Sequence, residues 1–297
     1  MTVDSVRQAT RYRLPHADAE YAWPKGDAAA VEWYGTGDPV LALGLLPHAN
    51  EPLGSAIRRP LAGLAPGAGR IAVVGPVDPP PANRRFPLPG DLRDFLRLGH
   101  LQPLDQQAEF GHCSEPRTPA QHRAACFRRL VREVAPAALI LLHNDPFARV
   151  PYLYADRRWP VVEHLLTKGL GDVFPDEPAA EPEWTSRLSP RVHAYFKAAV
   201  IGVRGSEAAG IFLPHYLGIP VLTAELPMFR WGEAEAARPE VLAAMETWIE
   251  HGAGDSRTLL AEAERLIGGL RVPMVEAQVS ARVVHAVMEG VRAELGR

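Results

Sequence analysis

Residues 41–54 read LALGLLPHANEPLG, an apolar run that breaks abruptly into a short polar motif. The apolar half belongs to a longer stretch, Pro39 to Leu46, without a polar residue at alternate positions. That pattern marks a strand covered on both faces, as strands of a parallel sheet are. Similar runs bounded by Gly or Pro recur at Arg70 to Val77, Ala137 to His143, Ala198 to Val203 and Ile219 to Leu226. Helical periodicity falls between them, as in Gln121 to Val134, where Ala125, Leu130 and Val134 line one side and arginines the other. Alternating strands and helices predict an α/β fold, a single domain over residues 1–297 with a central mixed, largely parallel twisted sheet flanked by helices. The catalytic core is expected over residues 30–235, followed by helices Pro239 to Glu250, Ser256 to Ile267 and Val275 to Leu295.

Composition narrows the functional classes. A chain of 297 residues is long enough for one large domain, one that buries about three-quarters of its unfolded surface. Its 32 basic and 35 acidic side chains leave a net charge of −3, which gives no electrostatic reason for a nucleic acid or an anionic membrane as partner. The first 16 residues carry charge throughout, and nowhere do 18 apolar residues run together, so a cytoplasmic protein is expected. Cys113 and Cys126 make no disulfide framework and no paired metal spacing. The 29 prolines cluster in Pro76 to Pro89 and Pro175 to Pro190, which read as loops.

The polar half of the opening stretch carries the chemistry. His48 and Glu51 stand three residues apart at a strand end, leading into an expected helix, Glu51 to Arg59, stopped by Pro60. Zinc accepts imidazole nitrogen and carboxylate oxygen, and a catalytic site uses three such ligands plus a water. The two-residue motif is not specific, since a chain of this composition holds about one by chance. A second copy, His112 to Glu115, lies between loop signals with no buried strand leading into it. Open α/β sheets place sites at the carboxyl ends of strands, and AALILLHND (137–145) brings His143 there, with Asp145 in a supporting role. His143 alone reads rather as a strand-end histidine bonded to a carbonyl; together with His48 and Glu51 it reads as the third ligand of one Zn²⁺.

Hydrolysis on zinc also needs a carboxylate to move a proton. Glu225, in GIPVLTAELP (218–227), is the candidate general base, because a charge near the end of a buried strand is costly without a purpose or a partner. The competing reading is a carboxylate paired with an arginine.

HANEP (48–52), NRRFP (83–87), CSEP (113–116), LLHND (141–145) and the Glu225 strand, taken in this order, resemble the zinc carboxypeptidase family. The resemblance extends to its relatives aspartoacylase and succinylglutamate desuccinylase, and runs from about Asp38 to Pro227. It implies that Asn83 and Arg84, with Arg85 as competitor, bind a substrate carboxylate, for which a guanidinium fork is suited. Two features depart from the family. The segment GPVDPPPA (75–82) lacks the arginine expected before the Asn-Arg pair, and KAAVIGVRGSEAAG (197–210) lacks the flexible tyrosine. Arg204 is the nearby substitute, a positive charge for an oxyanion or a carboxylate, and Glu207 either favours a basic substrate side chain or is simply exposed at the surface.

The implied activity is a metallocarboxypeptidase that cleaves the amide bond to a C-terminal amino acid. The alternatives are an N-acyl amino acid deacylase and, given the two departures, a binding protein on the same fold without turnover.

Overall fold

Among the described residues the strands are β1 (Gln8–Arg11), β2 (Ala30–Thr36), β3 (Val40–Gly44), β4 (Gly69–Gly75), β5 (Ala138–Asp145), β6 (Tyr152–Tyr154), β7 (Thr185–Ser189), β8 (Val192–Tyr195) and β9 (Val221–Pro227). They form one mixed sheet in the order β1-β2-β4-β3-β5-β9-β6-β8-β7. The centre, β4-β3-β5-β9, is parallel throughout; β2 and β6 join it antiparallel, β1 pairs antiparallel with β2, β8 parallel with β6, and β7 antiparallel with β8. This is a computed structural model, and it describes residues 8–11, 30–45, 48, 51, 53, 57–63, 69–75, 77–78, 90–98, 106–180, 185–195, 205–251 and 256–296.

The central strands obey the two-sided burial read from their sequence. Val40–Gly44 is buried at every position, and Ala138–Asp145 at all but its last. With period 2, Ile140 and Leu142 of β5 enter one apolar layer. That layer also holds Val162 and Leu166 of α4 (Pro160–Thr167) and Val283, Val287 and Val291 of the C-terminal helix Ala277–Leu295. Leu139 and Leu141 enter the opposite layer, with Ala124, Phe127 and Val131 of α3 (Pro119–Val134) and Leu213 of α5 (Ala209–Leu217). Two steps beyond Leu141, His143 therefore points to the α3 and α5 side.

The chain leaves β3 for β4 on one side and returns to β5 on the other. The carboxyl ends of β3 and β5 thus flank a topological switch point, where open sheets leave a crevice.

Several sequence expectations shift. The helix starting after Glu51 is instead α1, Arg58–Ala62, with Pro60 as its third residue rather than its stop. The first four N–H groups of a helix have no partner within it, so proline costs nothing there. Helix α3 begins at Pro119, two residues before its expected start, because Thr118 and Gln121 form a reciprocal capping box. Arg128 of that helix is buried rather than solvated: it donates to the Cys113 carbonyl at 2.8 Å and lies 5.0 Å from the Phe212 ring centre. The C-terminal part forms α6 (Arg238–His251), α7 (Ser256–Ile267) and α8 (Ala277–Leu295). The expected strand Ala198 to Val203 lies outside the described residues. Among the described residues, no helix is long and apolar enough to cross a membrane.

Candidate metal centre

Three side chains converge at the switch point. His48 and Glu51 follow β3, His143 stands near the end of β5, and donor atoms of the three lie within 4.8 Å of one another. His143 Nδ1 is 3.2 Å from Glu51 Oε2, and His48 Nε2 is 4.0 Å from Glu51 Oε1. Ligand bonds of 2.0–2.1 Å in a tetrahedron put donor atoms about 3.3 Å apart. The His143–Glu51 pair already has that spacing, and the His48–Glu51 pair, at 4.0 Å, is somewhat wider.

The loop that carries Glu51 is fastened to β5 by Asn144. Its Oδ1 accepts from the Leu53 N–H at 2.8 Å, and its Nδ2 donates to the His143 carbonyl at 3.0 Å. The Asn144 backbone N–H donates to the Glu51 carboxylate. Asp145 does not face the histidines. One of its oxygens accepts from the Phe147 and Ala148 N–H groups at 2.7 and 3.1 Å, the other from the Tyr152 hydroxyl at 3.0 Å.

Glu225 stands in register with His143 across the parallel β5–β9 pair. Neighbours in register share a face of the sheet and lie about 4.8 Å apart, so Glu225 faces the same crevice from the adjoining strand. On its other side the register partner is Tyr152.

Electrostatics favour a cation. Burial lowers the pKa of His143 to about 3, and burial, with His143 adding to it, lowers that of His48 to about 4. Both rings are therefore neutral, the form that binds metal. Glu51 is pushed up to about 7, chiefly by burial. Burial, reinforced by the neighbouring carboxylates, raises Glu225 and Glu109 well above the usual carboxylate range. Among the described residues no lysine or arginine forms an ion pair with Glu51, Glu109 or Glu225. Two buried carboxylates, Glu51 and Glu109, beside the half-buried Glu225, with no matching cation among the described residues, are expensive, and a dication among them lowers that cost. The centre is also short of partners: among the described residues, His48 Nδ1, Glu51 Oε2 and His143 Nε2 are buried without a hydrogen bond. This donor set fits zinc.

Glu109 has no counterpart in the sequence reading. It lies on a 3-10 turn, Ala108–Phe110, next to the His112 motif, and its Oε2 is 3.8 Å from His143 Nε2. The signal was present in AEF, an acid between two apolar residues, but a single buried carboxylate has no periodicity to announce it. His112 is not drawn into the centre. Its Nδ1 lies 3.5 Å from an Arg128 nitrogen, while the Glu115 side chain of the same motif is 80% exposed. Glu207 is exposed and exchanges backbone hydrogen bonds with His112 at 3.2 and 2.8 Å. Asn83, Arg84, Arg85 and Arg204 lie outside the described residues.

No family sequence profile and no curated protein sequence matches the chain. Solved structures do resemble it. A metallo-carboxypeptidase from Burkholderia cenocepacia superposes with a TM-score of 0.51 at 11% identity, over 99% of this chain and 66% of that one. A provisionally assigned metallopeptidase from Shewanella denitrificans OS217 gives 0.50 at 12% identity, over 95% and 83%. A succinylglutamate desuccinylase/aspartoacylase from Rhodobacter sphaeroides gives 0.42 at 14%, over 97% and 66%. At these identities the likeness is one of fold, and the fold is carboxypeptidase-like.

Proposed function

We propose that the chain is a zinc-dependent hydrolase that cleaves the amide bond to a C-terminal amino acid. The observation that supports this best is the convergence of His48, Glu51 and His143 at a strand-end crevice with Glu225 on the adjoining strand. Zinc bound there supplies a water of raised acidity and a Lewis acid for the scissile carbonyl. Glu225 is assigned the proton: its carboxylate receives one from the attacking water and delivers it to the departing amine nitrogen. Its raised pKa suits the delivery step, and the positive charge of the metal favours the ionised form needed beforehand. Asn83 and Arg84, with Arg85 beside them, are assigned to the terminal carboxylate of the substrate. Arg204 is assigned to the developing oxyanion or a substrate carboxylate, and Glu207 to a basic substrate side chain.

The test is release of free amino acid by zinc-loaded protein from N-blocked dipeptides and, in parallel, from N-acyl amino acids. The reading expects cleavage of the dipeptides, lost in Glu225→Gln. Cleavage of N-acyl amino acids alone moves the assignment to a deacylase. No turnover of either class by zinc-loaded protein overturns the hydrolase reading in favour of a binding role.

A further inference from the structure

The two nitrogens of His143 face two different carboxylates. Nδ1 is 3.2 Å from Glu51, inside the candidate centre, while Nε2 points outward to Glu109 at 3.8 Å. His143 and Glu109 are each only 4% exposed, and Nε2 has no hydrogen-bond partner among the described residues. The tautomer with hydrogen on Nε2 directs that proton toward Glu109 and leaves Nδ1 bare, whereas the opposite tautomer directs it toward Glu51 Oε2.

The turn that carries Glu109 is held from several directions. Asp78, just past β4, accepts from the Ala108 N–H at 2.6 Å and pairs with Arg123 of α3 at 2.6 Å. The Ala209 N–H at the start of α5 donates to Glu109 itself. The same turn sets Phe110 against His48, ring centres 5.7 Å apart and nearly parallel. Residues 108–110 therefore touch both histidines of the centre from outside it.

We propose that Glu109 is a positioning residue for the metal centre, fixing His143 in the tautomer with hydrogen on Nε2 and a bare Nδ1 turned toward Glu51. A ligating imidazole must present a bare nitrogen, and its other nitrogen decides which one that is. In metal sites generally, removal of such an outer partner weakens metal binding about 10–100-fold. The inference rests on the zinc-centre reading for its consequence, though not for the tautomer itself.

The experiment combines two readouts on wild-type protein and Glu109→Gln, which keeps the shape and removes the charge. Nitrogen-15 chemical shifts of the His143 ring report the tautomer in metal-free protein, and chelator competition reports the zinc dissociation constant. The expected result is an Nε2–H tautomer in wild type, a mixture of tautomers in E109Q, and zinc binding about 10–100-fold weaker in E109Q. A purely structural Glu109 would lower the melting temperature while leaving tautomer and affinity unchanged, and that outcome overturns the proposal. Should E109Q not fold, an Nδ1–H tautomer in the wild-type protein overturns it equally. A wild-type protein that binds no zinc defeats the zinc-centre reading instead, and the tautomer measurement then still decides the role of Glu109.

Discussion

Replacing Asn144 by alanine tests how the centre is held together. The substitution removes the acceptor of the buried Leu53 N–H, at 2.8 Å, and the donor to the His143 carbonyl, at 3.0 Å. A buried N–H left without an acceptor costs about 1–3 kcal/mol, and the second bond contributes about 0.5–1.5 kcal/mol. The expected loss is about 1.5–4.5 kcal/mol, or about 2–7 °C in melting temperature for a chain of this length. Part of that loss falls on the loop carrying Glu51, and each 1.4 kcal/mol spent there weakens metal binding about tenfold. Gly290→Ala is the control. Its added Cβ meets the Val162 Cα at 2.6 Å in the α4–α8 contact, so it destabilises by overpacking, about 1–3 kcal/mol, far from the loop. Denaturant unfolding and chelator competition on both variants give the comparison. Asn144→Ala should lose stability and zinc affinity together, Gly290→Ala stability alone. Equal zinc affinity in Asn144→Ala and wild type would refute the view that Asn144 holds the ligand loop to β5.

Glu225→Gln should retain zinc and lose turnover about 10²–10⁴-fold, measured as kcat on the best substrate alongside zinc content; loss of the metal would instead make Glu225 part of its binding. Gly75, at φ +150°, would place a Cβ 2.7 Å from the Leu45 carbonyl oxygen, so Gly75→Ala should displace the strand end that leads to His48 and lower both melting temperature and zinc affinity. Zinc affinity should also depend on pH in a particular way. The folded-state pKa of Glu51 is raised to about 7, so below that pH the metal must displace its proton, whereas His48 and His143, lowered to about 4 and 3, hold none to displace. The dissociation constant should therefore rise by up to about tenfold per pH unit, about 15-fold in all from pH 7 down to 5.5; a flat profile would contradict the assignment.

The parallel centre of the sheet was legible because β3, β5 and β9 are buried on both faces and must be apolar nearly throughout. The outer strands were not: Thr185–Ser189 is buried only at its two ends, inside a proline-rich stretch, and Tyr152–Tyr154 is three residues long, so neither offers a continuous run. His48, Glu51 and His143 were readable for the same reason as the strands, since each follows directly on a buried run. Glu109 was not, because its place depends on Asp78, Arg123 and Ala209, which are brought to it by tertiary packing. Proline misled at α1, where position within the first turn decides whether it stops a helix. Arg128 misled by composition, its charge being satisfied inside by Cys113 and Phe212.

Metal content tests the central claim most directly. Elemental analysis of the purified, zinc-reconstituted and dialysed chain should find one zinc per chain, and His143→Ala should lose it while keeping its helical circular-dichroism signal. A wild-type chain that retains no zinc, or a His143→Ala variant that retains it fully, would contradict a centre built from His48, Glu51 and His143.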